Sequence, residues 1–290
     1  MDTMTHQRAT KLLMTAALAV AAACGGSNEG PPVATPSLSI NLASAPLGAP
    51  VEMTYRFQVA PAASIEGDYR VLVHFVDVDD EVMWVDDHDP PTPTSQWQPG
   101  RTVEYTRTLF LPVYPYLGKA IVQVGLYDES SGRRLRLAGD DNGQRAYGVA
   151  SIELRPESDG LFVVYGAGWH VPEVSPQNAL EEWRWTQQEA HVTFRNPKRD
   201  VTVYLQLDGR PDLFGGSQQI SLRIGGEVVD TFALETVDRV LHVARVTAAA
   251  LGDEDVVGMT LVADHAFVPA EAGGVDTRQL GVRVFHLYVQ

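Results

Sequence analysis

From Ser37 onward the apolar positions of the chain recur with a period of two rather than of three to four. Arg70-Val71-Leu72-Val73-His74-Phe75-Val76 and Ile121-Val122-Gln123-Val124-Gly125-Leu126-Tyr127 alternate closely enough to predict half-buried strands. Comparable β-branched and aromatic runs lie at Val51–Val59, Tyr69–Val76, Thr102–Leu111, Ala120–Tyr127 and Gly148–Leu154. Breakers separate them, among them Pro90-Pro91-Thr92-Pro93, Pro99-Gly100, Pro115 and Ser131-Gly132. After a polar break at Pro156-Glu157-Ser158-Asp159-Gly160 a second series follows: Leu161–Tyr165, His191–Phe194, Val201–Leu207, Gln218–Ile224, Glu227–Leu234, Arg239–Val246, Gly258–Ala263 and Gly281–Val289. Gly225-Gly226 falls between two alternating runs, where a tight hairpin turn needs positive φ. Thr247–Leu251 has room for a helical turn and no more. The pattern predicts an all-β protein of two antiparallel β-sandwich domains, immunoglobulin-like over residues 37–155 and jelly-roll-like over residues 160–290.

The first residues do not follow this pattern. Arg8 and Lys11 precede Leu12–Ala23, which is apolar but for Thr15 and ends in small residues before Cys24. A positive start, a short apolar stretch and a small-residue end predict a secretory signal over residues 1–23, too short to span a bilayer. Ala21-Ala22-Ala23-Cys24 followed by Gly25-Gly26-Ser27-Asn28 resembles the lipobox of bacterial lipoproteins. The resemblance implies that Cys24 is lipidated and becomes the first mature residue, anchoring an exported protein at a membrane of the cell envelope. An ordinary cleavage at the same place, leaving a free thiol, is the alternative reading. Residues 24–36 are Gly-, Ser- and Pro-rich and predict a flexible tether.

Composition narrows the classes of function. The 290 residues are 44% hydrophobic, enough for packed cores and too apolar for disorder throughout. The single Cys excludes an internal disulfide framework and a Cys-based zinc finger. The net charge of −15 repels phosphate backbones and excludes nucleic acid as the expected partner. Removing residues 1–23 takes away Asp2, Arg8 and Lys11 and leaves the mature chain at −16.

The second half carries four blocks in order: Gly168-Trp169-His170-Val171-Pro172-Glu173, Trp183-Arg184-Trp185-Thr186, Phe267-Val268-Pro269 and Asp276-Thr277-Arg278-Gln279-Leu280-Gly281-Val282. They resemble a pattern of β-sandwich accessory domains of bacterial envelope glycosyltransferases and polysaccharide-assembly proteins. In the first half, Val73-His74-Phe75, Asp87–Thr94 and Val124-Gly125-Leu126-Tyr127 resemble immunoglobulin-like domains associated with membrane glycosyltransferases. The resemblance implies non-catalytic work near cell-surface glycan or its assembly machinery. On chemistry alone, the flat faces of Trp169, Trp183 and Trp185 suit stacking on sugar rings, with Glu173 and Arg184 as hydroxyl partners. The competing reading is that Trp183 and Trp185, two apart on one strand, share a face and fill the core, with Arg184 opposite.

Asp77, Asp79, Asp86 and Asp87 form the acidic cluster from which Ca²⁺ could draw oxygen ligands; the alternative is a solvated hairpin tip between strands 71–76 and 82–85. No cofactor is otherwise implied. The hydrolase motif G-x-S-x-G, H-E-x-x-H and a Gly-rich phosphate loop are all absent from the sequence. Glu173 with Glu181 or Glu182 is the pair that glycoside hydrolysis would use. The leading expectation is a lipid-anchored, non-catalytic protein that binds or presents to glycan. A structural lipoprotein that contacts envelope proteins is the alternative, and a glycan hydrolase ranks third.

Overall fold

In several strands the alternation in the sequence becomes alternation in burial, whereas Arg70–Val76 and Gly118–Tyr127, expected to be half-buried, are covered on both faces over most of their length because they lie inside their sheet. Glu189–Arg195 buries Ala190, Val192 and Phe194 and exposes the residues between them, so a single face of the strand goes to the core. The computed structural model describes residues 30–290. The leader and Cys24 lie outside the described residues.

The first eight strands are β1 (Ala34–Ile40), β2 (Ser44–Pro46), β3 (Pro50–Val59), β4 (Arg70–Val76), β5 (Val82–Val85), β6 (Thr102–Phe110), β7 (Gly118–Tyr127) and β8 (Tyr147–Arg155). They form a three-stranded sheet, β1-β3-β6, and a five-stranded sheet, β2-β8-β7-β4-β5. Met53, Tyr55 and Phe57 of one sheet pack with Val71, Val73, Phe75 and Val122 of the other in a common core. β2 runs parallel to β8, and every other pair in these sheets is antiparallel. The tether expected through Pro36 stops short of β1, whose Ala34 is buried opposite Val59. A strand with a proline at its third position is tolerated here because β1 lies at a sheet edge.

The remaining strands are β9 (Val163–Tyr165), β10 (Glu173–Val174), β11 (Glu182–Trp185), β12 (Glu189–Arg195), β13 (Val201–Asp208), β14 (Gln218–Ile224), β15 (Glu227–Leu234), β16 (Val240–Val246), β17 (Val256–Ala263) and β18 (Arg283–Val289). Two five-stranded antiparallel sheets, β10-β11-β18-β13-β16 and β15-β14-β17-β12-β9, enclose a second core that includes Leu205, Leu207, Val284, Phe194, Ile220 and Met259. Gly225 and Gly226 turn β14 into β15 with φ of 59° and 90°, the pair of positive values that a type I′ hairpin requires. The only helices of this half are single turns. One of them, Ala248–Leu251, is capped by the Thr247 hydroxyl, which accepts from the Ala250 amide. The chain is therefore all-β, built as two antiparallel sandwiches, and Pro32–Gln290 forms one compact unit. The sandwiches meet where Phe110, the last residue of β6, stacks on His286 of β18 and where Tyr288 packs against the first core.

Candidate functional site

Trp183 and Trp185 do share a face of β11, but neither belongs to the second core. Both rings flank the guanidinium of Arg283 on the neighbouring β18, whose Cζ lies 5.1 Å from the Trp183 ring centre and 5.8 Å from that of Trp185. The same guanidinium is held by buried Asp208 through two bonds, Nε to Oδ1 at 3.0 Å and Nη2 to Oδ2 at 2.6 Å. Arg184 points the other way and lies 4.7 Å over the Tyr165 ring. From Trp183 the row continues to Phe285, capped at 3.5 Å by Arg239, which pairs with Glu181. At its other end Trp185 meets the edge of Phe267, with Arg210 at 5.8 Å over that ring. The outward face of this sheet is thus a strip in which the half-buried rings of Trp183, Trp185 and Phe267 and the buried ring of Phe285 alternate with arginines. Rings and guanidiniums attract one another by about 0.5–1 kcal/mol at such exposed sites.

Trp169 does not belong to the strip. Its indole N–H donates to the His191 carbonyl at 2.9 Å, and its ring meets Tyr165 edge-on at the rim of the core. Glu173 is engaged by Arg278 at 2.8 Å, and Arg278 is held in turn by Asp276. These two contacts are part of a larger knot in which the four sequence blocks hold one another. The Thr186 amide donates to the Val282 carbonyl, while the Thr186 hydroxyl accepts from the Val282 amide at 3.0 Å. Phe267 and Leu280 exchange both backbone bonds. Gly168, at φ +84°, passes so close to the next strand that an added Cβ would sit 2.0 Å from the Glu189 carbonyl oxygen. The blocks that carry the family resemblance are therefore the joinery of one sandwich edge, which gathers Trp169 and Glu173 into structural roles.

The strip leads into a cleft of about 780 Å³ between the sandwiches, shared by Trp84, Asp86 and Arg107 on one wall and Glu181, Gln206, Arg239 and Phe285 on the other. Trp84 is 4% exposed and stacks on Phe75 at 4.7 Å. Its indole N–H and the Asp86 Oδ2 are buried without hydrogen-bond partners. Burial pushes the Asp86 carboxyl up to about 6 against the attraction of Arg107, whose Nη2 lies 3.2 Å from Oδ1. Behind it His88 bonds the Asp86 carbonyl and the Tyr105 hydroxyl, each at 2.8 Å, and burial lowers its pKa to about 4. Sequence reasoning found Asp86 and Glu181 for other purposes and missed Trp84, Arg107, Gln206, Arg239 and Phe285. Trp84, Arg107, Arg239 and Phe285 are brought together from strands and a turn far apart in the chain, and no local spacing announces them.

The acidic loop is not gathered into a cation cradle. The Asp77 carboxylate accepts from the amides of Asp79 and Glu81, which makes the segment a self-capped hairpin tip. Asp87 accepts from the Val73 amide at 2.8 Å, and Asp86 faces Arg107. Among the described residues no group of three or more His, Cys, Asp or Glu side chains is placed to hold a metal ion. Of the carboxylates weighed for hydrolysis, Glu173 and Glu181 are held in ion pairs, and Glu182 is exposed, 3.9 Å from Arg184. Glu173 is tied to Arg278, and Glu181 is tied to Arg239, which holds its carboxyl below the usual range.

No protein-family model matches the chain, and no curated protein is similar to it. Among solved structures it is similar to the CBM36-1 domain of a multidomain xylanase from the hindgut metagenome of Trinervitermes trinervoides, at 12% identity and a TM-score of 0.27, over 44% of this chain and 94% of that one. It is similar to the CBM22-1–CBM22-2 tandem of Paenibacillus barcinonensis Xyn10C at 10% identity and a TM-score of 0.27, over 84% of this chain and 79% of that one. A third is a Bacteroides uniformis β-glucuronidase, at 12% identity and a TM-score of 0.29, over 88% of this chain and 30% of that one.

Proposed function

We propose that this protein is a non-catalytic glycan-binding protein, exported and held at a membrane of the cell envelope by a lipid on Cys24. The observation that supports it is the continuity of the aromatic–arginine strip with the cleft. A sugar offers an apolar C–H face to a ring and hydroxyls to amides, carboxylates and guanidiniums, and the strip and cleft supply both kinds of surface side by side. The cleft arginines already have carboxylate partners, Arg107 with Asp86 and Arg239 with Glu181. Paired in this way they present hydrogen-bonding groups without excess charge, which suits an uncharged polyhydroxylated chain better than an anion.

The mature protein is to be probed on a glycan array and by pulldown with native polysaccharide. Binding is expected, with Trp185→Ala and Arg239→Ala each weakening it at least about tenfold, the loss of roughly one stacked ring or charged hydrogen bond. Absence of binding on both surfaces removes the proposal. The anchor is tested separately: cells fed an alkyne fatty acid label the protein, and label that persists in Cys24→Ser removes the anchor.

A further inference from the structure

The cleft has a second compartment. A groove of about 480 Å³ adjoins it, and both spaces are bounded by Pro112, Leu180, Glu182, Phe285 and His286. The groove is the more apolar of the two, since the cleft sets Val82, Met83, Val85 and Leu109 among five charged side chains and the groove has three. Leu111, Val113, Leu161, Phe162, Leu180 and Leu287 dominate its lining, and its charged groups are Glu157, Glu182 and Arg184. Several of these apolar side chains stand in solvent, Phe162 at 64%, Val113 at 62% and Leu180 at 48% of their full exposure. Water-exposed apolar surface concentrated in a groove that opens beside a polar cleft is surface that gains by being covered.

We infer that the two compartments form one bipartite site whose ligand is an amphiphile, a sugar headgroup carried on an aliphatic chain. The headgroup occupies the cleft of Asp86, Arg107 and Arg239, and the chain lies in the groove of Phe162 and Leu180. This rests on the sugar-binding reading above and specifies its ligand as a glycolipid. The argument for this occupant is the shared wall. A free glycan leaves Phe162 and Val113 wet, and a simple fatty chain leaves the paired charges of the cleft unused. Only a molecule polar at one end and apolar at the other matches both compartments in the order in which they adjoin.

The test is a series of hexyl, octyl and decyl maltosides titrated calorimetrically into the mature protein below their micelle concentrations, with free maltose alongside. Affinity is expected to rise with each methylene, on the order of fourfold per group while the groove has room. Phe162→Asp and Leu180→Asp, both at solvent-exposed positions, are expected to flatten that rise. Val256→Asp on β17, outside the lining of either compartment, is expected to leave it intact. Equal affinity for hexyl and decyl chains, or no saturable binding by any alkyl maltoside, overturns the amphiphile. If chain length has no effect while glycans still bind on the array, the amphiphile fails and the sugar reading stands. If the array is also blank, both fail.

Discussion

The imidazole of His286 lies flat against the ring of Phe110, with centroids 4.3 Å apart and planes within 2° of parallel. It joins the last strand of the second sandwich to the end of β6 in the first, and His286 lines both the cleft and the groove. Both rings are shielded, and burial together with the Arg239 charge pulls the His286 pKa down to about 4, so the joint is a neutral stack at physiological pH.

Phe110→Ala is expected to cost about 3 kcal/mol by removing a buried ring. It is also expected to split thermal unfolding into two transitions, because the sandwiches have separate cores and this contact is a main link between them. Differential scanning calorimetry checks both; one transition at the wild-type temperature would show that the stack is not the joint.

Arg283→Ala leaves the Asp208 carboxylate buried without its guanidinium, and breaking such a pair costs about 3–5 kcal/mol. The double variant Arg283→Met/Asp208→Leu is expected to recover most of that loss, since no charge is then left stranded. Urea midpoints for the single and double variants decide it. A double variant as unstable as the single one would place the cost in lost packing against Trp183 and Trp185.

Thr186→Val keeps shape but orphans the Val282 amide, for an expected loss of about 1–3 kcal/mol. Because the block around Thr186 is joinery, binding on the glycan array is expected to be unchanged at temperatures where the variant is folded. A binding defect without a stability defect would place Thr186 itself, beside Trp185 of the strip, in the ligand site.

The pH dependence follows from three buried groups. Asp86, raised to about 6, favours its neutral form, so it contributes stability below the usual carboxylate range that is lost as pH rises through about 6. His88 and His286, lowered to about 4, contribute stability above the usual histidine range that is lost as pH falls through about 4. Between these values the two effects oppose each other. Asp86→Asn removes only the first, so its stability relative to wild type is expected to rise by about 1 kcal/mol between about pH 5 and about pH 7.5. Chemical denaturation at the two values measures it, and a constant difference between variant and wild type would mean that Asp86 does not titrate in this range.

Where alternation is local, the sequence was legible. β12, β13 and β14 fall where their apolar period puts them, and Gly225-Gly226 turns as its positive φ demands. β1 was hidden because its Ala34, Thr35 and Pro36 look like tether; pairing with β3 and burial of Ala34 make them strand. The Trp pair was found, but its face was not. Which side of β11 is covered depends on β18 lying beside it with Arg283 in register with Trp185.

By itself the sequence determined the all-β class, the position of most strands and the Gly225-Gly226 hairpin, because a period of two and the needs of a turn are satisfied within a few residues. Only the tertiary structure decided which aromatic rings meet which arginines. It alone set Asp86 beside Arg107 and Trp84, closed Phe110 onto His286, and brought the cleft and the groove together at Phe285 and His286. Those contacts join positions up to some two hundred residues apart in the chain, and a long-range contact is fixed by how sheets pack.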